Sequence, residues 1–276
     1  MNHRWKRNIL MIAVSFLLCT MAGSVYAASV GQISVTVTQD YGKAKEVLRL
    51  VNKARSSRGR SALKMDSTLT KNAVTRAAEL CVYVPEGVHY RPNGKEKTSI
   101  NSSILYEDCL EYIGGSFSAG AAVKTWMESP PHKRGILLSS AKSVGVACVT
   151  LETPDGISEH YVLEFSGKNA SGRIGSGTKK ITVKIRALSK YLNAKYFSII
   201  EKYTEGGSQL RVAYRSPAAK GDYLLSPASF TWTSSNKKLV PVSSTGVLTG
   251  EESGRATITA VQKKSPKIRL RYIVDI

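Results

Sequence analysis

Cysteine and histidine are both scarce in this chain, at four of each in 276 residues. Cys19, Cys81, Cys109 and Cys148 have no zinc-site spacing, and no two histidines stand as H-x-x-x-H. A metal centre announced by local ligand spacing is therefore excluded. There is no G-x-S-x-G elbow and no serine marked out beside a histidine, so a serine-hydrolase signature is missing. Gly172 and Gly177 fall at phosphate-loop spacing, but Thr178-Lys179 reverses the required Lys-Thr order, which removes a nucleotide loop. Acidic residues number 20 against 40 Lys and Arg, leaving a net charge of +20. Long apolar runs are missing beyond Leu18, so no later stretch could span a membrane.

The N-terminus has the pattern of a secretory signal. Arg4, Lys6 and Arg7 precede the apolar run Ile9–Leu18, and Val25-Tyr26-Ala27 offers a cleavage site. Residues 1–27 are expected to be removed on export, with an uncleaved anchor as the alternative. Cys19 is a poor lipidation site, because bulky Leu18 precedes it. Export permits a disulfide, but Cys81, Cys109 and Cys148 are an odd set. One bridge with one thiol left over, or three buried thiols acting as small hydrophobes, both fit.

The positive charge is uneven. Ala28–Gly177 carries 19 basic and 14 acidic residues, a net of +5, whereas Thr178–Ile276 carries 18 and 6, a net of +12. An exported basic chain meets anionic cell-wall polymers, lipid headgroups or acidic glycans rather than nucleic acid. Simple solubility is the competing explanation. Attachment by this charge would weaken with salt.

Ser29–Gln39 alternates as "SVGQISVTVTQ" and predicts a short strand or an N-terminal arm over residues 28–40. Helical periodicity follows: Val47, Leu50, Val51 and Ala54 share one face, with Gly59 closing the run. A second helix starts from a cap at Asp66 or Ser67, with Leu69, Ala73, Ala77 and Leu80 as its stripe. A third starts near Ser118, with Ala122, Val123, Trp126 and Met127 inward. Pro130 and Pro131 are expected to end it, since neither donates a backbone hydrogen bond. "SVGVACVTLE" and "SEHYVLEF", joined by "TPDG", read as a β-hairpin. Residues 168–179 form a Gly/Ser-rich linker. Beyond it the signals are β almost throughout, which suggests a sandwich. "SKYLNAKYFSIIEKY" is ambiguous and has room for a helical turn.

Three blocks between Tyr41 and Gly167 resemble the CAP superfamily (cysteine-rich secretory, antigen 5, pathogenesis-related) in its bacterial secreted form. They are "VHYRPNGKEKTSI", "LEYIGGSFSAGAAVKTWMESPPHKRGIL", and "VGVACV" followed by "HYVLEF". The resemblance implies an α/β/α sandwich over residues 41–167. It also implies a cavity gathering His89, Glu111 and His132, with Glu128 in the tryptophan helix carried only weakly. The family pattern is broken at Leu110, Tyr112, Pro131 and Gly135, which puts metal binding in that cavity in doubt. Residues 180–276, through "FTWTSSNKKLVPVSSTGVLTGEESGRATITAV", resemble the bacterial Ig-like module of group 2. That implies an all-β sandwich with Trp232, Val240, Val242, Val247 and Ile258 in its core.

His89, His132 and Glu111 could hold a divalent metal such as zinc and leave a position open for water or substrate. A metal-free histidine pair could instead act as base and acid. His160, beside Tyr161 in a strand, reads as structural. Three functions follow from the resemblance. The first, preferred, is a non-enzymatic binding protein, secreted or wall-associated, taking a lipid, glycan or surface-protein ligand and held to the envelope by its basic Ig-like domain. The second is a metal-assisted hydrolase of envelope polymer or protein. The third is a structural surface protein with a vestigial cavity.

Overall fold

The computed structural model describes residues 30–82, 89–113, 117–204, 207–215, 221–250 and 254–275. Strand β1 (Val30–Asp40) leads into α1 (Tyr41–Ser56), followed by the short β2 (Lys64–Met65) and α2 (Ser67–Val82). Then come β3 (Ile104–Ile113), α3 (Ala119–Glu128), α4 (Pro130–Ile136), and the hairpin β4 (Ser143–Thr153) and β5 (Gly156–Ser166). The C-terminal part holds β6 (Thr178–Leu188), β7 (Phe197–Thr204), β8 (Gly207–Tyr214), β9 (Tyr223–Leu224), β10 (Phe230–Ser234), β11 (Val247–Leu248), β12 (Arg255–Gln262) and β13 (Arg269–Asp275).

Helices α1, α2 and α3 each start where a side chain accepts from a free backbone N–H, whereas α4 has no side-chain cap. Asp40 Oδ1 accepts from Lys43 N at 2.8 Å, Asp66 Oδ1 from Leu69 N at 2.8 Å, and Ser118 Oγ from Ala121 N at 3.1 Å. The prolines behave differently from the expectation. Ser129 ends α3, but Pro130 and Pro131 occupy the first turn of a new helix, α4. A first-turn residue needs no intrahelical N–H donor, and proline's fixed φ suits that place. His132 therefore sits on a helix, not on a segment leading straight to the sheet.

The first sheet runs β3-β5-β4-β1-β6, with β2 parallel to β4 at its flank. Strand alternation sends Val144, Val146, Tyr161, Leu163 and Phe165 to one face, where they pack with Val47, Val51, Trp126 and Ile136 of α1, α3 and α4. Ala147, Val149, Leu151 and Val162 go to the other face, under Ala73, Ala77 and Leu80 of α2. This is an α/β/α sandwich. Gly145 lets α2 lie close: a Cβ there would come within 2.3 Å of the Leu69 carbonyl oxygen.

Two further sheets, β10-β12-β13 and β7-β8-β11 with β9 on β8, build the C-terminal part. Trp232, Val240 and Ile258 are buried in its core; Val242 and Val247 are only half-buried, and Leu248 fills the place expected of Val247. The ambiguous stretch holds two 3-10 turns, Ser189–Tyr191 and Ala194–Tyr196.

The two parts share a sheet. β1 pairs with β4 through Val37–Gln39 and with β6 along its whole length, from Val30 opposite Leu188 to Asp40 opposite Thr178. β6 belongs to the stretch that resembles the Ig-like module, yet it closes the edge of the first sheet. The same apolar cluster runs from α2 through Ile33, Val35 and Ile185 into Leu210, Trp232 and Ile258. Around it, Ser226 N donates to Ser34 O at 3.2 Å, Gln262 Nε2 to Gln32 O at 2.9 Å, and Arg211 lies 3.0 Å from Glu152. The Gly/Ser-rich connection is also tied down. Ser171 N and Oγ donate to Asp66 Oδ2 at 2.7 and 2.9 Å, and Gly177 O accepts from Tyr41 N at 2.9 Å.

Candidate functional site

His132 lies in the first turn of α4, two residues behind the proline that opens it. Its Nδ1 is 2.5 Å from Oδ1 of Asp108 on β3. The carboxylate is buried, with 1% of its side chain exposed, while the imidazole is 33% exposed. A buried acid holding Nδ1 fixes the ring and turns the chemistry over to Nε2. Burial raises the Asp108 carboxyl above its ordinary value, and the contact with His132 offsets only part of that rise.

Tyr106, two residues before Asp108, packs on the same side. Its hydroxyl donates to Pro131 O at 3.1 Å and its ring lies under Lys97 Nζ, 5.4 Å from the centroid. Burial and the Asp108 charge push this phenol up to about 12. Gly135 is the reason the ring fits. A Cβ there would meet Tyr106 Cε1 at 1.9 Å. The departure from the family pattern at Gly135 is thus matched by a tyrosine on the facing strand.

The other expected site residues are placed as follows. His89 is exposed, and its carbonyl accepts from Lys97 N at 2.8 Å. Glu111 pairs with His160 across β3 and β5, three positions along from Asp108; its side chain lies outside what the structure describes. Glu128 is 66% exposed and stands 3.8 Å from Lys124, itself 76% exposed. Among the described residues no hydrogen bond joins His89, His132 and Glu128. Nor does any group of three or more His, Cys, Asp or Glu side chains there stand together to hold a metal ion. His160 is fully buried, with Nε2 2.9 Å from Ser158 Oγ and its ring packed against Tyr223 of the C-terminal part. Cys81, Cys109 and Cys148 are free thiols. Burial pushes Cys109 up to about 12, so it is a poor nucleophile.

Sequence reading missed Asp108. The acid three residues further on occupies the place the family pattern assigns. The signal that could have found it is the charged pair Glu107-Asp108 inside an otherwise half-buried strand. Glu107 faces the opposite side, where Arg76 Nε donates to it at 3.1 Å and Arg76 Nη2 donates to Tyr90 O at 3.2 Å. Glu79 takes Arg91 in a fork, with contacts of 2.6 and 2.9 Å. Glu164, directly across from Glu107, is fully buried and, among the described residues, neither carboxyl oxygen has a hydrogen-bond partner. Burial and the neighbouring Glu107 push it well above the ordinary glutamate value.

Residues 48–165 match the model of the cysteine-rich secretory protein family, CAP, and residues 200–271 that of the bacterial Ig-like domain of group 2. No curated protein matches the chain. Similar solved structures include an outer surface protein of Borrelia burgdorferi, at 18% identity over 47% of this chain and 94% of that one, with a TM-score of 0.36. An extracellular SCP-domain protein of Bacillus anthracis is 18% identical over 47% of this chain and 41% of its own, at a TM-score of 0.35. A cysteine-rich secretory protein of Staphylococcus aureus is 18% identical over 47% and 39%, at 0.32. The chain carries a CAP domain followed by a bacterial Ig-like domain, and β1 and β6, which join them, lie outside both matched ranges. No helix among the described residues is long and apolar enough to cross a membrane.

Proposed function

We propose that this protein, a CAP domain joined to an Ig-like domain, is an exported binding protein of the cell envelope. The CAP domain takes a polar ligand, a glycan or protein surface, at His132, and the basic Ig-like domain holds the molecule to an anionic polymer. The observation that carries this reading is the Asp108–His132 pair. A buried acid fixes an imidazole whose ring is one-third exposed. That geometry presents a hydrogen-bonding group in a set orientation, which is what specific recognition needs.

The test is an envelope-binding assay on purified protein with His132→Ala and Asp108→Asn. Loss of ligand capture in both, with the melting transition retained, is the expected result. Undiminished capture by both overturns the reading. The same Asp–His geometry favours a second reading, hydrolysis, because it leaves Nε2 as the group that could take a proton from water. Turnover of envelope polymer that titrates with an intact His132 would favour it over binding.

A further inference from the structure

A cleft of about 570 Å³ opens at the seam of three segments: the start of β1, the connection between β6 and β7, and the β12–β13 turn. The first two of these lie outside both family-matched ranges. Pairing of β1 with β6 is what brings them together. Gly31 makes the close approach possible, since a Cβ there would come 2.4 Å from Leu192 Cδ1 and 2.9 Å from Ser265 Oγ.

The lining is rich in donors. It offers the Lys267 ammonium, the hydroxyl of Ser265 and the Asn193 amide, against an apolar wall from Leu192. Asn193 Oδ1 already accepts from Lys195 N at 3.1 Å, which leaves its amide nitrogen as a donor. Among the described residues, no acidic one lines the cleft. Lys190, Lys195 and Lys264 are exposed chain neighbours of lining residues, with Lys190 Nζ 4.9 Å over the Tyr191 ring and Lys195 Nζ 5.1 Å over the Tyr196 ring. Lys195, Lys264 and Lys267 form no ion pair with a described carboxylate. The module's described acids are engaged elsewhere: Asp222 with Arg215, Asp275 with Arg255, and Glu201 with Ser208 and Tyr272. The positive potential here is therefore locally uncompensated.

We infer that this cleft binds a polyol-phosphate unit. The Lys267 ammonium meets the phosphate, with Lys195 and Lys264 adding positive charge beside the cleft, and the Ser265 hydroxyl and Asn193 amide meet the polyol. The volume suits a ligand of several heavy atoms rather than a lone ion. Lysine is a point-charge phosphate binder, whereas planar carboxylates are better matched by the arginine fork, and no arginine among the described residues lines the cleft. The inference rests on the proposed attachment to an anionic polymer and gives that attachment an address.

Glycerol phosphate occurs both in polymers and in lipid headgroups, so the test has an arm for each. The probes are poly(glycerol phosphate), vesicles of phosphatidylglycerol in phosphatidylcholine, and polygalacturonate as a carboxylate control. The triple variant Lys195→Gln, Lys264→Gln, Lys267→Gln is compared with an equal charge change elsewhere, Lys237→Gln, Lys238→Gln, Arg271→Gln. The expected result is a loss of roughly tenfold or more in affinity for the polymer with the cleft variant, against less than about threefold with the control. The same contrast on vesicles alone would assign the unit to a lipid headgroup. Equal losses in both variants overturn the cleft but leave electrostatic attachment standing. No binding of any probe by the wild-type chain overturns both. Polygalacturonate bound as tightly as the polymer, and lost in the same variant, overturns the phosphate assignment.

Discussion

Glu164 and Asp108 are the residues whose burial has the most direct consequences. For a carboxyl pushed upward by burial, the folded state holds its proton more tightly than the unfolded chain. Its contribution to stability is then full below the ordinary value of 4.5 for Glu164 and is lost as pH rises through the folded value. Glu164→Gln keeps the shape and removes the charge. Its melting temperature should exceed wild type at about pH 8 and converge with it below about pH 4.5. A constant offset across that range would show that Glu164 is not the titrating group. His132→Ala leaves Asp108 buried without its partner, and should cost about 1–3 kcal/mol near neutrality. That cost should shrink in acid, as Asp108 takes up its proton, and denaturant melts at two pH values measure it. The sequence located His132 through its proline-framed block but not Asp108. Strand alternation decides which of two adjacent acids faces α4, and a lone sequence does not fix that phase. Arg55 was hidden for a similar reason. It lies on the helix stripe as a charged residue, yet it is fully buried, donating to Ile136 O at 2.6 Å and Leu138 O at 3.0 Å.

At the scale of elements, the helix and strand periods were legible wherever a face is buried. The stripe Leu69, Ala73, Ala77 and Leu80 is buried throughout, and the two strands around "TPDG" form the hairpin. The start of α4 was not legible, because proline ends one helix and opens the next by the same missing N–H. Gly135 shows how such a short helix is positioned. It has no Cβ where the Tyr106 ring crosses, so α4 can sit against β3 and bring His132 to Asp108. Gly135→Ala should therefore destabilise by about 1–3 kcal/mol through overpacking. Tyr106→Ala should relieve part of that cost, since it removes the ring the methyl meets. A double-mutant cycle by chemical denaturation should give a coupling of about 1 kcal/mol or more. Strict additivity would mean that α4 shifts freely instead.

At the scale of the molecule, composition and motif order separate two modules, and both are present as an α/β/α sandwich and a strand-rich Ig-like part. What a domain-by-domain reading does not show is their union through β1. A strand that resembles neither family hydrogen bonds to both, and alternation alone says only that it is a strand. Its inward residues Ile33, Val35 and Val37 are fully buried in the cluster that also holds α2 and the Ig-like core. Cutting the chain to residues 41–167 would remove β1, β6 and the Ig-like cover together. It would leave Leu151 and the buried His160 on a face built for contact with them. Each large apolar side chain so exposed forfeits about 1.5–3 kcal/mol, and a few such losses approach the whole stability of a domain. The fragment should therefore bind a hydrophobic dye and aggregate, whereas residues 28–276 should unfold in one transition seen alike by tryptophan fluorescence and far-UV circular dichroism. Trp126 and Trp232 lie in the two parts, so fluorescence of single-tryptophan variants reports each separately. Coincident midpoints would show that β1 makes the pair one cooperative unit. Midpoints separated beyond error, with a soluble 41–167 fragment, would show that the shared strand only tethers them.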